Sequence, residues 1–134
     1  MSALSTYLEN KLVDHVLRNT AYTTPGTSVY VGLVKYYIAD TLEAGTLTEE
    51  ASGGSYARVQ VTAWDAASNG ATANTNAITF PTATADWGMI SGVIISDAAS
   101  AGNVLLHGSL TTARDVKDGD VFKFNSGDLD VTFA

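Results

Sequence analysis

The chain has 134 residues, a net charge of −7, no cysteine, and 16% charged against 46% hydrophobic side chains. That length fits one domain over residues 1–134, and the apolar fraction excludes disorder. The missing cysteines exclude a disulfide scaffold, a thiolate metal site and a cysteine nucleophile. The seven cations, scattered from Lys11 to Lys123, argue against nucleic-acid binding.

Leu4, Leu8, Leu12 and Val16 recur every four residues, with Leu17 beside them, so the spacing predicts one amphipathic helix within residues 1–20. Thr6-Tyr7-Leu8-Glu9 has the spacing of a capping box, with Ser2 as a competing start. Asn19 or Thr20 is the expected last helical residue, before Thr24-Pro25-Gly26. Met1-Ser2-Ala3-Leu4 enters this pattern without a basic start or an apolar core, so no signal peptide is expected.

Beyond Gly26 the period falls from four to two. Val29, Val31 and Leu33 alternate with their neighbours, as do Ala57, Val59, Val61 and Ala63. Ile78 and Phe80 close a third run at Pro81. Residues 87–96 are nearly all apolar or glycine, which reads as a strand buried on both faces around Val93, Ile94 and Ile95. That longest apolar run is far short of the ~18 residues of a membrane span. Three further runs follow: Val104–Leu110, Val121–Phe124 and Leu129–Phe133. Turn residues separate the runs, among them Asn69-Gly70, Gly102-Asn103, Asp118-Gly119 and Gly127-Asp128. The pattern predicts a mainly β domain: one antiparallel β-sandwich over residues 27–134, with seven or eight strands in a jelly-roll-like arrangement and one N-terminal α-helix. Residues 39–55 break the rhythm and read as a long loop, functional or mobile rather than a simple turn.

Catalytic signals are sparse. His15 lies on the helix and His107 on a strand; each reads as a packed or surface histidine, and either is expected to alter stability only. Ser109 shares a strand face with His107 but has no nucleophile elbow around it. Asp115, Asp118 and Asp120 flank Gly119, yet the spacing is not that of a calcium loop, and a hairpin turn accounts for it. Asp128 and Asp130 alternate with Leu129 and Val131 as the wet face of a last strand. The glycines form no phosphate cradle. We therefore expect no catalytic, cofactor-binding or metal residues. Trp64 and Tyr36 could stack on a sugar, and Trp87 reads as core. Tyr36 and Tyr37 are adjacent and must point to opposite faces, which suits a protein–protein contact. The candidate interface residues are Leu4 and Leu8 on the helix stripe and Tyr36, Tyr37, Ile38, Leu42 and Leu47 in the loop.

Residues 5–18, Val29-Tyr30-Val31-Gly32-Leu33, Ser52-Gly53-Gly54-Ser55-Tyr56-Ala57-Arg58 and Ile78-Thr79-Phe80-Pro81 occur in order with Ala85-Asp86-Trp87-Gly88 and Gly102-Asn103-Val104-Leu105-Leu106. In this series the chain resembles a family of small tailed-bacteriophage virion proteins, labelled tail-fibre or structural proteins. The segment Val34–Leu47 departs from the family pattern. The resemblance implies a non-enzymatic virion component, made in the host cytoplasm, whose partners are itself and the major capsid protein or tail proteins. It carries no catalytic residue. The absence of a coiled-coil heptad or fibrous repeat favours a capsid decoration (cement) protein on the head surface over a tail-fibre or baseplate module. A carbohydrate-binding module is a third reading. A homotrimer follows from the threefold sites that such virion proteins commonly occupy.

Overall fold

A computed structural model describes residues 3–133. Its elements in chain order are β1 (Ala3–Leu4), α1 (Thr6–Leu17), β2 (Tyr30–Val34), α2 (Ala39–Glu43), β3 (Val59–Gln60), β4 (Ala71–Ala73), β5 (Ile78–Thr79), β6 (Gly88–Ser96), β7 (Val104–Val116), β8 (Lys123–Phe124) and β9 (Asp130–Thr132). Five strands form an antiparallel sheet in the order β1-β7-β6-β2-β3, and two ribbons, β4–β9 and β5–β8, stand apart from it. The chain is thus mainly β and antiparallel, with one main helix near its N-terminus.

Among the described residues the strands number nine, and the second layer is two short ribbons rather than a full sheet. The ribbons are short because side chains interrupt their ladders. Asn74 is buried; its amide donates to the carbonyls of Asn76 (2.7 Å) and Asn125 (3.0 Å), and its oxygen accepts the Leu129 N–H (2.9 Å). One side chain here does what strand pairing does elsewhere. The ribbons and their flanks turn Ile78, Phe80, Phe122, Phe124, Leu129 and Val131 inward. These meet Val31, Leu33, Val93 and Ile95 of the large sheet in the main core. The opposite sheet face holds a smaller cluster of Val34, Ile94 and Val104, covered by Leu42. A β6 strand buried on both faces, as its unbroken apolar run predicts, is the result. β6 and β7 are also out of step. Ile90 pairs with Arg114 and Gly92 with Ser109, so β7 bulges between them.

The helix starts one residue earlier than the capping-box reading. Ser5, not Thr6, is the cap: its Oγ accepts the Leu8 N–H at 3.2 Å. The reason is tertiary. Ser5 is fully buried, its N–H donates to Leu105 O (2.9 Å), and its hydroxyl donates to Val104 O. That docking holds Ala3 and Leu4 extended, opposite His107 and Leu106, so Leu4 belongs to β1 and not to the helix. Ser2 lies outside the described residues. At the far end the helix stops at Leu17, because Asn19 takes φ 55° and the Thr20 N–H returns to Asp14 O at 3.0 Å. Ser5→Ala should remove both a cap and the donor to a buried carbonyl. We expect a loss of about 2–3 kcal/mol, read from urea unfolding. A loss below about 0.5 kcal/mol would mean the helix does not depend on this anchor.

Candidate interaction surface

The segment 35–47 folds back over the large sheet as a strap. The Tyr37 N–H donates to Ser91 Oγ (2.9 Å), and the Ser91 hydroxyl donates to Lys35 O (2.9 Å), so one serine pins the strap to β6. The Tyr37 ring lies over Gly92, where an added Cβ would come within 2.8 Å of Tyr37 Cδ2. The Tyr37 hydroxyl sits 2.8 Å from His107 Nδ1. Leu42, on the short helix α2, is only 1% exposed against Val34, Ile94 and Val104, with Leu47 packed beside it.

The proposed interface residues are placed as follows. Leu42 is interior, because the strap needs an apolar plug against the sheet. Leu8 is buried in the main core, and Leu4 is half-buried in β1. Tyr37 and Leu47 are half-buried by the strap's own packing. Only Tyr36, 67% exposed, and Ile38 remain on the surface. A bend at Lys35–Tyr36, just past the end of β2, leaves Tyr36 exposed and Tyr37 half-buried.

A larger apolar surface lies on α1. A four-residue spacing advances about 400° around a helix, so each step drifts about 40°. Leu8 is therefore buried, Leu12 half-buried, and Val16 72% exposed. Val13 and Leu17 continue the exposed face. The stripe runs directly into an open groove with an empty volume of about 680 Å³, walled by Leu8, Leu12, Tyr22, Trp64, Val131 and Phe133 among others. No charged residue lines it. Trp64 is half-buried in this wall, and Trp87 is buried in the main core.

A polar clamp sits at the opposite edge of the large sheet. Arg58 Nε donates to Glu50 Oε2 (2.7 Å) and Nη2 to Glu50 Oε1 (2.8 Å). Nη1 is shared among Ser96 Oγ (3.0 Å), Ala98 O (2.7 Å) and Ala101 O (2.9 Å). The Tyr56 hydroxyl donates to Glu50 Oε2 (2.8 Å) and accepts the Leu33 N–H (2.9 Å), standing in for a strand partner that β3 is too short to supply. The hydrogen bond to Glu50 holds the Arg58 guanidinium in its charged form more firmly than usual. Burial, then the Glu50 charge, push the Tyr56 phenol well above its ordinary range. Sequence reasoning missed this clamp. Residues eight apart in an irregular segment give no periodic signal, although Ser52–Arg58 is one of the segments that carried the family resemblance.

The remaining chemical candidates are held in structural roles. His15 is exposed, with Nδ1 3.3 Å from Thr20 O. His107 is buried under the strap while Ser109 is exposed. Residues 117–120 form a turn: Asp120 Oδ2 accepts the Lys117 N–H (3.0 Å), Asp86 Oδ1 accepts the Asp118 N–H (2.9 Å), and Gly119 takes φ 89°. Asp128 and Asp130 face solvent between buried Leu129 and Val131.

The class these features define is a mainly β, antiparallel domain that carries one amphipathic helix and an apolar surface beside it. The family model described as "Podophage GP4 fiber I protein gp80" matches residues 3–132, and the chain belongs to that family. It is accordingly a structural component of a phage virion, as the resemblance implied. A search of curated proteins returned no match.

Proposed function

We propose that the chain is a non-enzymatic decoration protein of the virion head, present as a homotrimer and seated on the major capsid protein. The observation that carries this reading is the exposed apolar surface of Val13, Val16 and Leu17 on the helix that also walls the apolar groove, on a chain whose net charge is −7. Acidic charge keeps copies soluble, while the groove, lined by apolar and uncharged residues, can be buried without stranding a charge. The size of the domain supports the head over a long fibre, since one compact body without repeats extends nothing. A fibre-associated module is the second reading, and the family's description as a fibre protein favours it.

Imaging virions with the protein labelled separates the two addresses: label on the shell supports decoration, and label confined to the tail overturns it. The apolar face has its own test. Val13→Asp combined with Leu17→Asp should leave the fold intact, because both side chains point outward. It should lower virion occupancy at least tenfold, since each lost apolar contact contributes about 1–2 kcal/mol. Unchanged occupancy with folded protein would remove this face from the assembly. Light scattering of the purified chain reports the trimer directly, and a monomer at high concentration would refute it.

A further inference from the structure

We propose that the 35–47 strap is a proton-released latch: charging the buried His107 ring detaches the strap and bares the apolar sheet face beneath it. Three observations converge on this ring. It is 2% exposed. Its Nδ1 meets the Tyr37 hydroxyl at 2.8 Å. Its Nε2 is buried with no hydrogen-bond partner. A neutral ring tolerates this arrangement, because one nitrogen pairs with the tyrosine and the other is the lesser loss. A charged ring carries two N–H donors, and the second has no acceptor. Burying an unpaired cation is far costlier than burying an unpaired neutral nitrogen. The proton can be accommodated only if the strap lifts and water reaches Nε2.

The surroundings set the direction. From the strap, Tyr37 faces the ring. From α2 and α1, the charges of Glu43 and Glu9 favour the proton, but burial opposes it more strongly and holds the ring below its ordinary range. β1, paired alongside, contributes only Ala3 and Leu4, and β6 contributes Ile94. The proton therefore binds the open form more readily than the closed one. Closure is fully stable above the open-state value, about 6.5. It weakens as pH falls through that value toward the depressed closed-state one. Within this window the opening equilibrium should rise by up to about tenfold per pH unit. What opens is defined by packing. Tyr37, Leu42 and Leu47 leave together, and Val34, Ile94 and Val104 become accessible.

The test uses the intact protein and nuclear magnetic resonance between pH 7.5 and 5. The Tyr37 amide, held by Ser91, reports the strap; the Ile94 amide reports the sheet. After correction for intrinsic exchange, Tyr37 should lose protection as pH falls below about 6.5, by up to about tenfold per pH unit, while Ile94 stays protected. His107→Gln, which cannot charge, should flatten the Tyr37 response. Should that variant fail to fold, the wild-type ring resonance serves, because its titration must track strap opening. Strap protection that is constant to pH 5 overturns the proposal. So do loss of Ile94 protection in step with Tyr37, a ring that titrates without strap opening, and a pH response that survives His107→Gln.

Discussion

Arg58→Met is expected to lower folding stability by about 3–5 kcal/mol, the range for removing one partner from a buried ion pair. Methionine fills part of the volume but donates nothing. Glu50 would lose both guanidinium bonds, and the carbonyls of Ala98 and Ala101 would lose the donor that holds the β6–β7 turn against residues 50–58. Glu50 is 15% exposed, so water reaches it in part and the lower half of the range is expected. Urea unfolding of the single variant, of Glu50→Gln, and of the double variant closes a cycle that isolates the pair. A coupling under 1 kcal/mol would show that the clamp orients these segments without holding them together.

Phe122→Ala should cost about 3–5 kcal/mol, by loss of apolar burial and creation of a cavity. Its ring stands edge-on to Phe80 at 5.8 Å and to Phe124 at 5.2 Å, and Arg114 lies over it at 4.8 Å from the centroid. The effect should be large because β5 and β8 pair through only two residues each. That ribbon is held to the sheet by side chains more than by its ladder. Thermal unfolding followed by near-ultraviolet circular dichroism checks it. A variant that keeps full stability would mean that the ribbon's attachment lies elsewhere.

Much of the fold was legible in the sequence where a local pattern dictates it. The apolar run around Val93–Ile95 has no polar side to offer water, so its burial follows from composition alone. The change of period after Gly26 marks the end of helix and the beginning of strand. Asp118-Gly119 and Gly127-Asp128 signal turns through their backbone preferences. What failed depends on distant partners. Ser5 outcompetes Thr6 as the cap because Val104 and Leu105 receive it, and nothing near Ser5 announces those residues. Leu42 looked like an exposed apolar side chain in a polar loop. It is a plug, because the chain reverses over Ile94 and Val104, more than fifty residues away. The burial of Leu8 and Leu42 escaped the sequence for the same reason. An apolar side chain in a loop reads identically whether it covers its own sheet or a neighbour. The exposure of Val16 was available to simple geometry, since the drift of a four-residue stripe carries its later members away from any flat core.

The anchor at Ser5 has a consequence for how the chain is made. Ser5 and Val104 are separated by 99 positions, and β1 pairs with β7 at the edge of the sheet. A ribosome delivers α1 ahead of its dock, which appears only after the β6–β7 hairpin has been synthesised. Twelve residues of marginal helix cannot persist alone in water, so the opening segment must wait unpaired. The β6–β7 hairpin, with its short connection, can close as soon as it emerges, and the N-terminus then returns across nearly the whole chain. The helix is therefore translated before its dock and is among the last elements to settle. A chain shortened before Val104 should leave the helix, and the leucines it carries, open to proteases and to one another.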